Sequence, residues 1–116
     1  MSTYEQGELI YVDFDPTYGH EPNKLRPALV VSVGYHNNVL SSLVTVCPIT
    51  SVFNGHPLHI PIPDEMSSSI HGCICLEQIR AIDLESPARK AKKTEEFLDK
   101  ETMASVLDGL GAMFGI

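Results

Sequence analysis

The 116-residue chain is 43% hydrophobic, enough for one core and too short for two ordinary domains, so a single domain over residues 1–116 is expected. A net charge of −7 argues against an obligate binder of duplex nucleic acid, because affinity for a phosphate backbone comes largely from clustered Lys and Arg. No apolar run approaches the length of a bilayer span, and residues 1–7 lack the basic start and apolar middle of a signal peptide, which predicts a cytoplasmic protein without membrane association.

Residues 8–14 alternate, with Ile10, Val12 and Phe14 on one face of a predicted strand and Leu9 and Tyr11 on the other. That second apolar face implies a further layer or a partner subunit. Residues 15–25 (DPTYGHEPNKL) form a long connection marked by Asp-Pro, Gly19 and Pro22-Asn23. A loop of that length in a compact domain is mobile or functional. Arg26 opens RPALVVSV, whose apolar stretch reads as a strand covered on both faces. Residues 35–38 (YHNN) read as a turn. A third strand is predicted over 40–49, with Pro48 marking an edge or a strand end because it lacks a backbone donor. Residues 56–62 (HPLHIPI) suggest a weaker, proline-broken strand, and 70–84 one bent strand or two short ones. Residues 87–93 read as a basic, helix-compatible linker. Beyond them the period changes to about 3.6, with Met103, Val106, Leu107, Leu110, Met113 and Phe114 at helical spacing and Asp99 as N-cap. The expected fold is mostly β with a C-terminal α-helix, the sheet curled toward a barrel.

Among residues that could carry chemistry, Arg26 is held extended by the following Pro27 at the root of the long loop, beside His20, Glu21 and Lys24. A guanidinium offers a rigid fork of donors suited to a phosphate whose charge is changing. The same residue also reads as a surface Arg paired with Glu21 or Asp15. Thr50 and Ser51 follow Pro48 and bring hydroxyls and backbone N–H groups to a turn, either to cradle a phosphate or to cap the turn itself. His20 is a proton-exchange candidate or a solvated loop histidine. His71, Cys73 and Cys75 share one strand face as H-x-C-x-C, but no second ligand pair follows at zinc-like spacing, so the cysteines read as structural and no metal is expected. Three cysteines without a C-x-x-C pattern fit a reducing compartment. Glu77 continues the Cys73/Cys75 face toward the loop. The basic run Arg89, Lys90, Lys92 and Lys93 is a solvated face or an RNA contact.

Five segments in order, GELIYVDFDPT (7–17), GHE (19–21), RPALVVS (26–32), CPITS (47–51) and residues 72–83, together resemble the MazF/PemK/Kid toxins of type II toxin-antitoxin pairs. The resemblance implies an SH3-like β-barrel homodimer that cuts single-stranded RNA at short motifs and is neutralised by a cognate antitoxin. It also implies a reaction without cofactor or metal: attack by the ribose 2′-hydroxyl, leaving a 2′,3′-cyclic phosphate and a 5′-hydroxyl. Catalytic roles fall by motif match on Arg26 and Thr50, with His20 and Glu21 moving protons or orienting Arg26. RNA contacts are assigned to Thr17, Lys24, Ser51 and Glu77. Some family members carry an Arg and an Asp two residues apart where this chain has Cys75 and Glu77, so a role built on that pair does not transfer. Two further functions of the same fold stay open: a gyrase-directed toxin, and a catalytically silent SH3-like module that binds a protein.

Overall fold

The computed structural model describes residues 3–15, 25–34, 37, 43–66 and 69–116. The predicted loop, with Thr17, His20, Glu21 and Lys24, and most of the 35–38 turn lie outside these residues. The elements in chain order are β1 (Glu8–Asp13), β2 (Leu25–Val30), β3 (Leu43–Thr50), β4 (His59–Pro61), β5 (Cys73–Cys75), β6 (Arg80–Asp83), β7 (Lys92–Phe97) and α1 (Lys100–Met113). The strands pair antiparallel in the order β4-β5-β3-β2-β1-β7, with β6 also on β3. The sheet curls like a barrel, but among the described residues no ladder joins β4 to β7.

Alternation of side chains sorts β1, β2 and β3 into two cores. One face carries Leu9, Leu29, Cys47 and Ile49 and packs on Ile74, Leu76 and the apolar stripe of α1, Met103, Val106 and Leu110. The other carries Ile10, Val12, Ala28, Val30, Val44 and Val46 and is closed by Tyr4, Phe14, Ile82 and Leu84. Fully burying a side chain such as Leu9, Leu29 or Ile74 contributes roughly 1.5–3 kcal/mol, which is why the central strands need no polar face. Leu9 therefore meets a layer of its own chain. The helix starts where expected: Asp99 accepts a hydrogen bond from Thr102 N–H at 3.0 Å. Its stripe is narrower than expected, with Leu107 and Phe114 exposed.

Two sequence-based expectations are corrected. Pro48 is neither at an edge nor at a strand end; it pairs with Ala28 inside β3. On the other side of β3, pairing with β6 stops at Val46 and pairing with β5 starts at Ile49, so Pro48 falls in a gap between ladders and its missing N–H costs no bond there. The gap exists because a 3₁₀ turn, Leu76–Gln78, separates β5 from β6. The second correction concerns the basic linker. Its start is a 3₁₀ turn, Pro87–Arg89, and its end is β7, paired to β1 across a register shift between Leu9 and Ile10. Residues 92–97 alternate no apolar groups. They are extended because β1 needs a partner, with Thr94 Oγ1 donating to Leu9 O at 2.6 Å and Lys93 Nζ lying 3.2 Å from the buried Glu8 carboxylate. A positive φ of 65° at Glu95 marks the bulge.

Candidate active site

Arg26 stands second in β2, exposed, with Val12 as its partner on β1. Its side chain makes no hydrogen bond or ion pair with any described residue. The last β2–β3 pair is Ala28 with Pro48, and Arg26 and Thr50 each lie two residues beyond it on their strands, with the same alternation of faces as that pair. Thr50 ends β3, half-buried, paired on its other side with Cys73 of β5. Its Oγ1 accepts the Val52 N–H at 3.2 Å, so the turn-capping role is present. Ser51 is exposed beside it. Capping uses one lone pair and leaves the hydroxyl proton free to donate.

Gly72 holds this strand end in place. Its φ is +127°, and a Cβ there would lie 2.1 Å from Thr50 O, so β5 enters pressed against the Thr50–Ser51 peptide in a way that only glycine permits. At the root of the loop, Arg80 Nη2 donates to Phe14 O at 2.9 Å with its guanidinium 4.9 Å from the Phe14 ring centroid. Arg89 Nη1 donates to the same carbonyl at 3.0 Å and to Asp13 O at 3.2 Å. Two cations thus fix the exit from β1 on the side where Arg26 stands. From the sequence Arg80 has no role and Arg89 only that of a basic run, a solvated face or an RNA contact, whereas both guanidinium groups bond the chain's own carbonyls.

Glu77 lies in the 3₁₀ turn after β5, and its Oε2 accepts from His59 Nε2 at 2.9 Å. Burial pushes the Glu77 carboxyl up, but the His59 hydrogen bond, its own backbone amide and the two nearby imidazoles outweigh it and leave the group below the ordinary carboxylate range. His56 stacks on His59 with ring centroids 4.6 Å apart. One ligand atom from each of His56, His59 and Glu77 lies within 4.8 Å of the others, the group of metal-binding donors that the described residues bring together. The sequence carries His56-x-x-His59, and the third member, Glu77, lies 18 residues beyond His59. By contrast His71 is exposed ahead of β5 while Cys73 and Cys75 are buried, so the H-x-C-x-C triad is not assembled as a ligand set. All three cysteines are free. Burial, then Cys75 and Glu77, pushes the Cys47 thiol up to about 12, which makes it inert as a nucleophile near neutral pH.

Comparison with known proteins adds the family. A family model described as PemK-like, MazF-like toxin of type II toxin-antitoxin system matches residues 5–114. The endoribonuclease toxin ChpB of Escherichia coli K12 is 37% identical over 100 residues, covering 79% of this chain and 78% of its own. The fold superposes on a crystal structure of MazF from Deinococcus radiodurans with a TM-score of 0.82 at 28% identity, covering all of both chains. A MazE-MazF crystal structure from the same organism also gives 0.82, at 26% identity and 99% coverage of each chain. The barrel-like sheet with its C-terminal helix and a family match over nearly the whole chain agree: the chain belongs to the PemK-like, MazF-like toxins of type II toxin-antitoxin systems.

Proposed function

We propose that this endoribonuclease toxin cuts single-stranded RNA at Arg26 and Thr50 by attack of a ribose 2′-hydroxyl on the adjacent phosphate, with no metal in the reaction. The observation that supports the reading is the exposed Arg26 guanidinium, unpaired among the described residues, two residues beyond the last β2–β3 pair on β2 as Thr50 is on β3. The 2′-oxygen forms a bond to phosphorus as the bond to the 5′-oxygen breaks; the 2′ proton leaves to a base and the departing oxygen gains one. Arg26 faces the charge that builds on the pentacoordinate phosphorus, and a preorganised donor fork acts there without reorganising. Thr50 donates its hydroxyl to a non-bridging oxygen, with the exposed Ser51 at the same turn. His20 and Glu21, close to Arg26 along the chain, supply proton transfer or orient the guanidinium. Thr17, Lys24 and Glu77 complete the RNA contacts.

The working unit is one domain that forms a homodimer in the cytoplasm, held in check by an antitoxin that covers the 15–25 loop. MazE-MazF complexes among the structural neighbours support the antitoxin, and among the described residues no helix is long and apolar enough to cross a membrane. A mapped RNA carrying a single 2′-deoxy sugar at the cut site tests the chemistry. It should resist cleavage, whereas the all-ribose strand yields a 2′,3′-cyclic phosphate and a 5′-hydroxyl, with EDTA leaving the rate unchanged. Cleavage of the 2′-deoxy strand would refute the mechanism.

A further inference from the structure

We propose that His56, His59 and Glu77 form a binding site for one zinc-like divalent cation, which clamps the 51–58 segment to the turn after β5. Two imidazoles and a carboxylate are borderline donors that favour Zn²⁺, Co²⁺ or Ni²⁺ over Mg²⁺ or Ca²⁺. Three protein ligands leave a fourth position for water. Bonds of about 2.0–2.1 Å to a tetrahedral ion put ligand atoms about 3.3 Å apart. His59 Nε2 and Glu77 Oε2 already stand at 2.9 Å, and all three donors fall within 4.8 Å. To close the remainder, the exposed Glu77 and the half-buried His56, whose ring now stacks on His59 at 4.6 Å, would turn toward the ion. The His59 side chain is 7% exposed, its Nε2 is held by Glu77 and its Nδ1 is buried without a hydrogen-bond partner among the described residues, so packing and that one bond fix the ring.

The position gives the site its consequence. His59 pairs with Cys75 and Thr50 with Cys73, two residues apart on β5, or about 7 Å along the strand. The segment between Thr50 and His59 leaves β3 at the proposed phosphate contact and returns at the cation site. It carries Val52 and Phe53, both 64% exposed. His56 also reports occupancy. Its Nδ1 now accepts the Leu58 N–H at 3.1 Å. If the metal takes Nδ1, that bond is displaced; if it takes Nε2, the ring proton moves to Nδ1 and faces the amide. Either way the Leu58 amide loses its acceptor when the ion binds.

The test uses the full-length protein, freed of metal by chelation, and needs no RNA, so it stands or falls separately from the proposed cleavage. Titration with Co²⁺ should produce the visible bands of a tetrahedral nitrogen and oxygen site without thiolate charge transfer, saturating at one ion per chain and displaced by Zn²⁺. The Leu58 amide resonance should shift and exchange faster on Zn²⁺ addition. His56→Gln, His59→Gln and Glu77→Gln should each weaken binding by at least about tenfold. Glu77 is exposed, so Glu77→Gln remains informative if the His59 variant folds poorly. The Cys73→Ser/Cys75→Ser variant should bind as the parent does. Absence of a Co²⁺ band with metal in excess, binding untouched by Glu77→Gln and His56→Gln, or binding lost with the cysteines would each overturn the proposal.

Discussion

Two cation sites on neighbouring parts of the sheet are built in opposite ways. Arg26 is exposed at the start of β2 and its side chain bonds to no described residue. His59, on the short β4, is buried and already spends its Nε2 on Glu77. A guanidinium left open can take a phosphate without first breaking an internal ion pair, whereas an imidazole held by a carboxylate is poised to exchange that contact only for something that satisfies both. The difference separates an exposed, uncommitted side chain from one committed to a local contact, and it can be probed one side at a time.

The largest effect is expected at Arg26. Removing one preorganised donor from a site of developing charge typically costs on the order of 10²- to 10³-fold in rate, so Arg26→Ala should lose at least that in single-turnover cleavage while unfolding at the parental temperature. Arg26→Lys keeps the charge but not the planar fork and should also be severely impaired. A folded Arg26→Ala that cuts within a few-fold of the parent would erase the distinction between the two sites.

Gly72→Ala comes next, because it presses on Thr50 from the β5 side. A residue forced into an unfavourable backbone region costs about 1–3 kcal/mol, and the clash with Thr50 O adds to it. Thermal unfolding should show the destabilisation, and cleavage measured well below the unfolding temperature should fall further than the folded fraction explains. Equal losses in both would mean that Gly72 supports the fold without holding Thr50.

The smallest effect is expected at Glu77. The His59–Glu77 contact is partly exposed on the Glu77 side, so its worth is discounted to about 0.2–1 kcal/mol. Because the folded-state carboxyl lies below its ordinary value, this stabilisation is fully present above the ordinary carboxylate range and is lost as pH falls through the lowered folded value. Metal-free Glu77→Gln should therefore match the parent in acid and fall slightly below it near neutral pH in paired denaturant titrations. A stability gap that instead widens as the pH is lowered would contradict the sign.

How much of this was legible in the sequence depended on whether burial or pairing decided each element. The central strands announced themselves, since Ile10, Val12, Leu29 and Val46 sit in cores that demand apolar residues at fixed spacing. So did α1, through Asp99 and the Met103, Val106, Leu110 stripe. β7 did not: KKTEEF carries no apolar alternation, and only the open edge of β1 makes it a strand. Pro48 misled because a rule about sheet interiors assumes an unbroken ladder, and the 3₁₀ turn before β6 breaks it. For the candidate site, the expectation at Arg26 and Thr50 rests on Pro27 and the strand end, whereas the His56, His59 and Glu77 cluster was not legible, since Glu77 reaches the histidines only after β4 folds back on β5.

The shared grip of Arg80 and Arg89 on the Phe14 carbonyl bears on the order in which the molecule is made. These bonds span 66 and 75 residues of chain, and β1 is completed on one side only by β7. Contacts so distant in sequence form late, because loop closure must precede them. The loop root beside Arg26 therefore cannot be secured on a ribosome until Arg89 has left the exit tunnel.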